Sequence, residues 1–168
     1  YNLIVESKGI TLIELVIALA LLGIVLASIF SFYSFNVNTF NTAQKKSDVQ
    51  QDILMAADFI TKELRTATIV ELSSDETPKK LKDPYNSYMG PNNNHLEYHY
   101  KSESRAITNT NIVEISLTLD KNTNLLKFYI EGNEDGQEYS IDSEIILLNL
   151  KELPDEDSSG SSVHYFKP

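Results

Sequence analysis

Hydrophobic and polar positions divide this chain into three regimes. Residues 10–32 are apolar almost without a break, the polar exceptions being Thr11, Glu14, Ser28 and Ser31. That run is long enough to cross a bilayer, which takes about 20 apolar residues in a helix. After it, the sequence holds neither proline nor glycine until Pro78. Within that stretch Val49, Ile53, Ala56, Ile60, Leu64 and Ala67 follow at spacings of 4, 3, 4, 4 and 3. This is the apolar stripe of an amphipathic helix, with Asp48, Asp52, Glu63 and Arg65 on the side assigned to solvent. The pattern predicts one helix from residue 10 to about 67. Its first part is apolar all round, and its second part must lay a stripe on a partner.

From Ser73 to Asn94 the chain reads as a loop, because Pro78, Pro84, Gly90, Pro91 and three consecutive asparagines are strong breakers. The period then changes to two. In "HLEYHY" Leu96, Tyr98 and Tyr100 alternate with His95, Glu97 and His99. In "NIVEISLTLD" Val113, Ile115, Leu117 and Leu119 alternate with Glu114, Ser116 and Thr118. The turn "DKNTN" followed by "LLKFYIEG" makes 112–119 and 125–130 a hairpin. An acidic turn "EGNEDGQE", the strand region "YSIDSEIILLNLKEL", a polar loop "PDEDSSGSS" and a last strand "VHYF" complete the chain. The expected class is α+β: a long N-terminal helix packed on a small, mostly antiparallel β-sheet.

Charge narrows the functional classes. The 168 residues carry a net charge of −10. From Asn38 onward there are 13 basic and 22 acidic residues, so a broad basic patch for nucleic acid is not expected. The absence of cysteine excludes disulfides and thiol chemistry. The apolar run is longer than the 7 to 15 residues of a cleaved secretory signal, and no small-residue cleavage site ends it. Glu14 stands out. A charge at the centre of a spanning helix costs roughly 2.5 to 3.5 kcal/mol on insertion scales, so an acid there is a candidate functional residue, the alternative being a side chain that snorkels to the headgroups.

Elsewhere the candidate chemistry is sparse. His95, Glu97 and His99 share a strand face at a spacing that can bind zinc, but no third protein ligand of a catalytic site is placed. Glu131, Asn133, Asp135 and Gly136 follow the spacing of a calcium loop, with Asp142 where the bidentate ligand would stand. Their flanks are strands rather than helices, so the reading is a hairpin turn and no metal is expected. No nucleophile elbow and no glycine-rich phosphate loop is present. Neither an enzyme nor a bound cofactor is expected.

The segment "KGITLIELVIALALLGIVLAS" resembles the class III signal of type IV pilins and pseudopilins. The resemblance implies that a membrane aspartic peptidase cuts between Gly9 and Ile10 and that the new amine of Ile10 is methylated. Thr11, Leu12, Ile13 and Leu15 complete the recognition stretch, and Glu14 matches the family's glutamate, which pairs with the amine of a neighbouring subunit. The family most often has Phe where this chain has Ile10. Residues 1–9 are then a leader, 10–37 the transmembrane and filament-core half of the helix, and 38–168 a globular head. "QQDILMAADFITKELRTA" and the strands after it resemble W-type minor pilins and J-type minor pseudopilins. Many major pilins kink at a proline where this chain has Ser31, and many close a disulfide that this chain lacks.

The implied function is a structural subunit, a minor one, that helps to initiate or cap a type IV pilus. The alternatives are a pseudopilin of a type II secretion or competence system, and a membrane-anchored binding or sensor domain. The implied partners are other major and minor pilins, prepilin peptidase and an assembly platform, with no direct nucleic-acid binding. The implied location is the cytoplasmic membrane as a single-pass prepilin, then an extracellular pilus or pseudopilus.

Overall fold

The computed structural model describes residues 9–74, 84–101, 103–120, 122–151 and 158–168. Residues 1–8 of the expected leader, Pro78 of the expected loop and the first four residues of "PDEDSSGSS" lie outside the described residues. One helix, α1, runs from Leu12 to Leu64. Among the described residues nine strands follow: β1 (Ile69–Ser73), β2 (Ser87–Asn92), β3 (His95–Tyr100), β4 (Glu103–Ala106), β5 (Asn111–Leu119), β6 (Leu125–Glu134), β7 (Gln137–Ile146), β8 (Ser158–Gly160) and β9 (Ser162–Phe166). The chain divides after Thr42 into two compact units.

In the unit that begins at Ala43, the stripe on α1 forms one wall of the core. Val49, Ile53, Ala56, Ile60 and Leu64 are each at most 1% exposed. They join Met89, Leu96, Leu117, Leu119, Leu126, Phe128, Ile130, Val163 and Tyr165 in one apolar cluster. Burial of each large side chain contributes about 1.5 to 3 kcal/mol, so this face, more than helix propensity, holds α1 to the strands. The helix stops at Leu64, ahead of the β-branched run Thr66, Thr68, Ile69 and Val70, whose branched side chains favour a strand. Ala67 lies beyond the helix yet is fully buried in the same core.

The strands form two sheets rather than one. The first has the order β1-β9-β2-β3-β4 and the second β7-β6-β5-β8. Every strand pairing is antiparallel. The chain changes sheet at Ser161, since β8 pairs β5 and β9 pairs β1 and β2. The class is the expected one, α+β with a long helix on antiparallel sheet.

Four local expectations are corrected. The stretch read as a loop contains β2, the segment "SYMGPN". Pro91 stands past Met89, the last residue of β2 that β9 pairs, so its missing N–H removes no ladder bond. Gly90 belongs there because a Cβ would come within 2.5 Å of the Tyr88 hydroxyl. Val113 does not share a face with Leu117 and Leu119. A bulge between Ile112 and Glu114 shifts the register, burying Ile112 and leaving Val113 exposed. The acidic turn is tighter than expected: β6 continues to Glu134, and only Asp135 and Gly136, both at positive φ, separate it from β7.

The fourth correction concerns α1. Asp52, assigned to solvent, is 5% exposed. Its Oδ2 accepts hydrogen bonds from the backbone N–H groups of Asn109 and Thr110, each at 2.6 Å. Glu63, also assigned to solvent, accepts from the Tyr165 hydroxyl at 3.1 Å and from Lys167 Nζ at 3.0 Å. Both acids fasten the helix to segments remote in sequence.

Candidate functional site

The start of α1 is built by two side chains. Thr11 stands just before the first helical residue, Leu12, and its carbonyl accepts the first helical bond, from Leu15 N at 3.2 Å. Thr11 Oγ1 accepts from the backbone N–H of Glu14 at 3.4 Å. Glu14 reaches back, and its Oε2 accepts from Thr11 N at 2.9 Å and from Thr11 Oγ1 at 2.8 Å. This reciprocal arrangement is a capping box, which satisfies two of the amide groups that a helix start leaves without partners. The carboxylate also sits where the positive end of the helix dipole favours it.

Gly9 and Ile10 precede this cap in non-helical, exposed backbone. Among the described residues nothing lies within 4 Å of where a Cβ on Gly9 would stand, and its φ is not in the left-handed region. The fold therefore supplies no reason for glycine at this position. A residue whose identity the chain's own packing does not use is open to selection by a partner.

On both sides of the cap, every large apolar side chain from Ile10 to Phe40 is at least 37% exposed. A contiguous apolar surface of that extent marks a membrane or partner contact. By length and composition, α1 is long and apolar enough to cross a membrane. The two serines of the apolar run 10–32 are compatible with hydrocarbon. Ser28 Oγ donates to the Ile24 carbonyl at 2.8 Å and Ser31 Oγ to the Ala27 carbonyl at 2.9 Å, so neither hydroxyl is bare.

Most of the other sequence candidates have local partners, His95 being the exception. His99 Nε2 lies 3.0 Å from Glu97 Oε2, which also accepts from Asn92 Nδ2 at 2.9 Å. His95 Nδ1 is buried without a hydrogen-bond partner. Asp135 pairs with Lys45, and that hydrogen bond and charge hold its carboxyl below the usual range. Asn133 Oδ1 accepts from Gly136 N at 3.2 Å, and its Nδ2 donates to Glu138 at 2.9 Å. Glu131 accepts from the Tyr129 hydroxyl, and Asp142 lies opposite Tyr129 in the β6–β7 ladder. Among the described residues, no group of three or more His, Asp or Glu side chains is placed to hold a metal ion.

Residues 6–30 match the prokaryotic N-terminal methylation motif. No curated protein and no solved structure matches the chain. The motif covers the cap, the residues before it and the apolar face, and it supports the pilin family. Together with a pilin-like α+β fold, it points to a type IV pilin-like or pseudopilin protein, structural rather than enzymatic. It implies processing by prepilin peptidase and assembly with other pilins, and the exposed apolar helix fits a membrane-anchored precursor.

Proposed function

We propose that the chain is a minor structural subunit of a type IV pilus that helps to initiate or cap assembly, similar to W-type minor pilins or J-type minor pseudopilins. Residues 1–9 are removed, the amine of Ile10 becomes methylated, and residues 10–37 pass from the membrane into the filament core, carrying the head that begins near Asn38. The observation that carries this reading is a single carboxylate, Glu14, at the start of the apolar part of α1, whose large side chains from Ile10 to Phe40 are not buried in their own chain.

Cutting after Gly9 places an ammonium group on Ile10, next to the Thr11 cap that Glu14 closes, so the new amine and the carboxylate both stand at the start of α1. When the apolar faces of neighbouring helices cover this region, the attraction between opposite charges a few Å apart rises steeply as water is excluded. Glu14 then locks register by meeting the amine of a neighbouring subunit. Mass spectrometry of the native protein tests the reading. A chain beginning at a methylated Ile10 is expected, whereas an intact leader in cells that hold the peptidase favours a membrane-anchored sensor.

A further inference from the structure

We infer that Thr11 is a positioning residue for leader removal: its cap ends the helix one residue after Ile10 and keeps the Gly9–Ile10 bond unwound for the peptidase. The inference rests on the proposed cleavage between those two residues.

The argument begins with unpaired amides. At a helix start the N–H groups of the first turn have no intrahelical acceptor. Where water is scarce such groups are costly to leave unpaired, so the helix gains by extending upstream. Here extension would hand the N–H groups of Ile13 and Glu14 to the carbonyls of Gly9 and Ile10 and wind the scissile bond into the first turn. Thr11 offers the alternative. Its Oγ1 accepts from Glu14 N, and its own N–H is occupied by Glu14 Oε2 at 2.9 Å. The outcome is visible in the backbone: α1 begins at Leu12, and Gly9, Ile10 and Thr11 are non-helical and exposed.

Proteolysis favours exposed, unpaired backbone, and its rate follows the population of the open form when opening is fast. A cap that keeps 9–11 unwound therefore sets the cleavage rate without touching the reacting bond. The same hydroxyl acts only through backbone geometry, so any residue able to cap should replace it.

The test uses the full-length precursor in membranes with its peptidase and measures initial rates of leader removal for Thr11→Val, Thr11→Ala and Thr11→Ser. Valine preserves shape without the hydroxyl, and both Val and Ala should slow cleavage about fivefold, the factor that loss of an ordinary N-cap makes in a helix equilibrium. Serine should cleave at the wild-type rate. In micelles, backbone carbon shifts of Gly9 and Ile10 should move toward helical values in the Val and Ala variants only. Equal rates for all four chains overturn the inference. So does slow cleavage with unchanged shifts, which would mean that the peptidase reads the threonine side chain itself. A wild-type product that does not begin at Ile10 overturns the proposed function as well, so the two failures are distinguishable.

Discussion

Asp52 on α1 holds the backbone of Thr110, just ahead of β5, through a 2.6 Å hydrogen bond from the Thr110 N–H, and the same oxygen takes the N–H of Asn109. The neighbouring Thr108 accepts from Leu96 N at 3.0 Å, so a short segment links the helix, β3 and β5. Removing the carboxylate leaves two amides without acceptors in a site where Thr110 is 6% exposed. Asp52→Ala should therefore destabilise the head by about 2 kcal/mol, since each buried unsatisfied group costs roughly 1 to 3 kcal/mol. The urea midpoint reads this directly, and an unchanged midpoint would remove the latch role.

A fragment beginning at Asn38 should be soluble and monomeric. It keeps the buried stripe of α1 and sheds most of the exposed apolar surface. Light scattering coupled to size exclusion decides the point. An insoluble or obligately oligomeric fragment would place the boundary of the head elsewhere.

Alkaline pH should unfold the head through its tyrosines. Burial, helped by Glu71, pushes Tyr85 up to about 12 from 10.0. Burial and Glu63 push Tyr165 upward as well. The native state thus keeps protons that the unfolded chain releases, so stability is complete below pH 10 or so and falls as pH rises through the native values. Denaturation midpoints should decline above about pH 10, and Tyr85→Phe should flatten that decline. An identical slope in the variant would assign the loss to other groups.

Gly9→Glu should block leader removal and leave an inserted, uncleaved precursor. The position has open space in its own chain, so the fold tolerates the substitution and the defect isolates recognition by the peptidase. An immunoblot showing normal maturation would move the cleavage site.

Much of the fold is legible in the residues because its signals are long or strictly periodic. The stripe from Val49 to Leu64 announces the buried face of α1, and alternation locates β3, β5, the start of β6 and β9. What escapes is decided by contacts remote in sequence. Gly90 and Pro91 read as breakers, yet one admits the Tyr88 hydroxyl and the other stands where no strand needs its N–H. Val113 changes face because of a one-residue bulge that alternation cannot foresee. Asp52 and Glu63 occupy the solvent side of an isolated helix, and only the segments folded over them make them internal. β4, "ESRA", has no apolar period at all and is fixed by pairing with β3. At the site, Glu14 is legible as a charge in an apolar run. The signature Thr-x-x-Glu ahead of that run is equally present in the sequence, and reading the glutamate as a charge alone obscures its second role as part of the cap.

The two roles of Glu14 can be separated. Glutamine completes a capping box as glutamate does but carries no charge, whereas leucine removes both functions and makes the helix more apolar. Both variants should insert into the membrane and lose the leader, because the Thr11 hydroxyl still caps position 14.

The most direct measurement compares sheared filaments with the processed membrane pool for wild type, Glu14→Gln and Glu14→Leu. Leaving one partner of a buried charge pair unmatched costs roughly 3 to 5 kcal/mol. Both variants should therefore be found processed in the membrane and depleted from filaments more than tenfold, the glutamine variant showing that charge rather than capping is required. Incorporation of Glu14→Gln at the wild-type level would contradict the register lock and leave Glu14 as a helix cap alone.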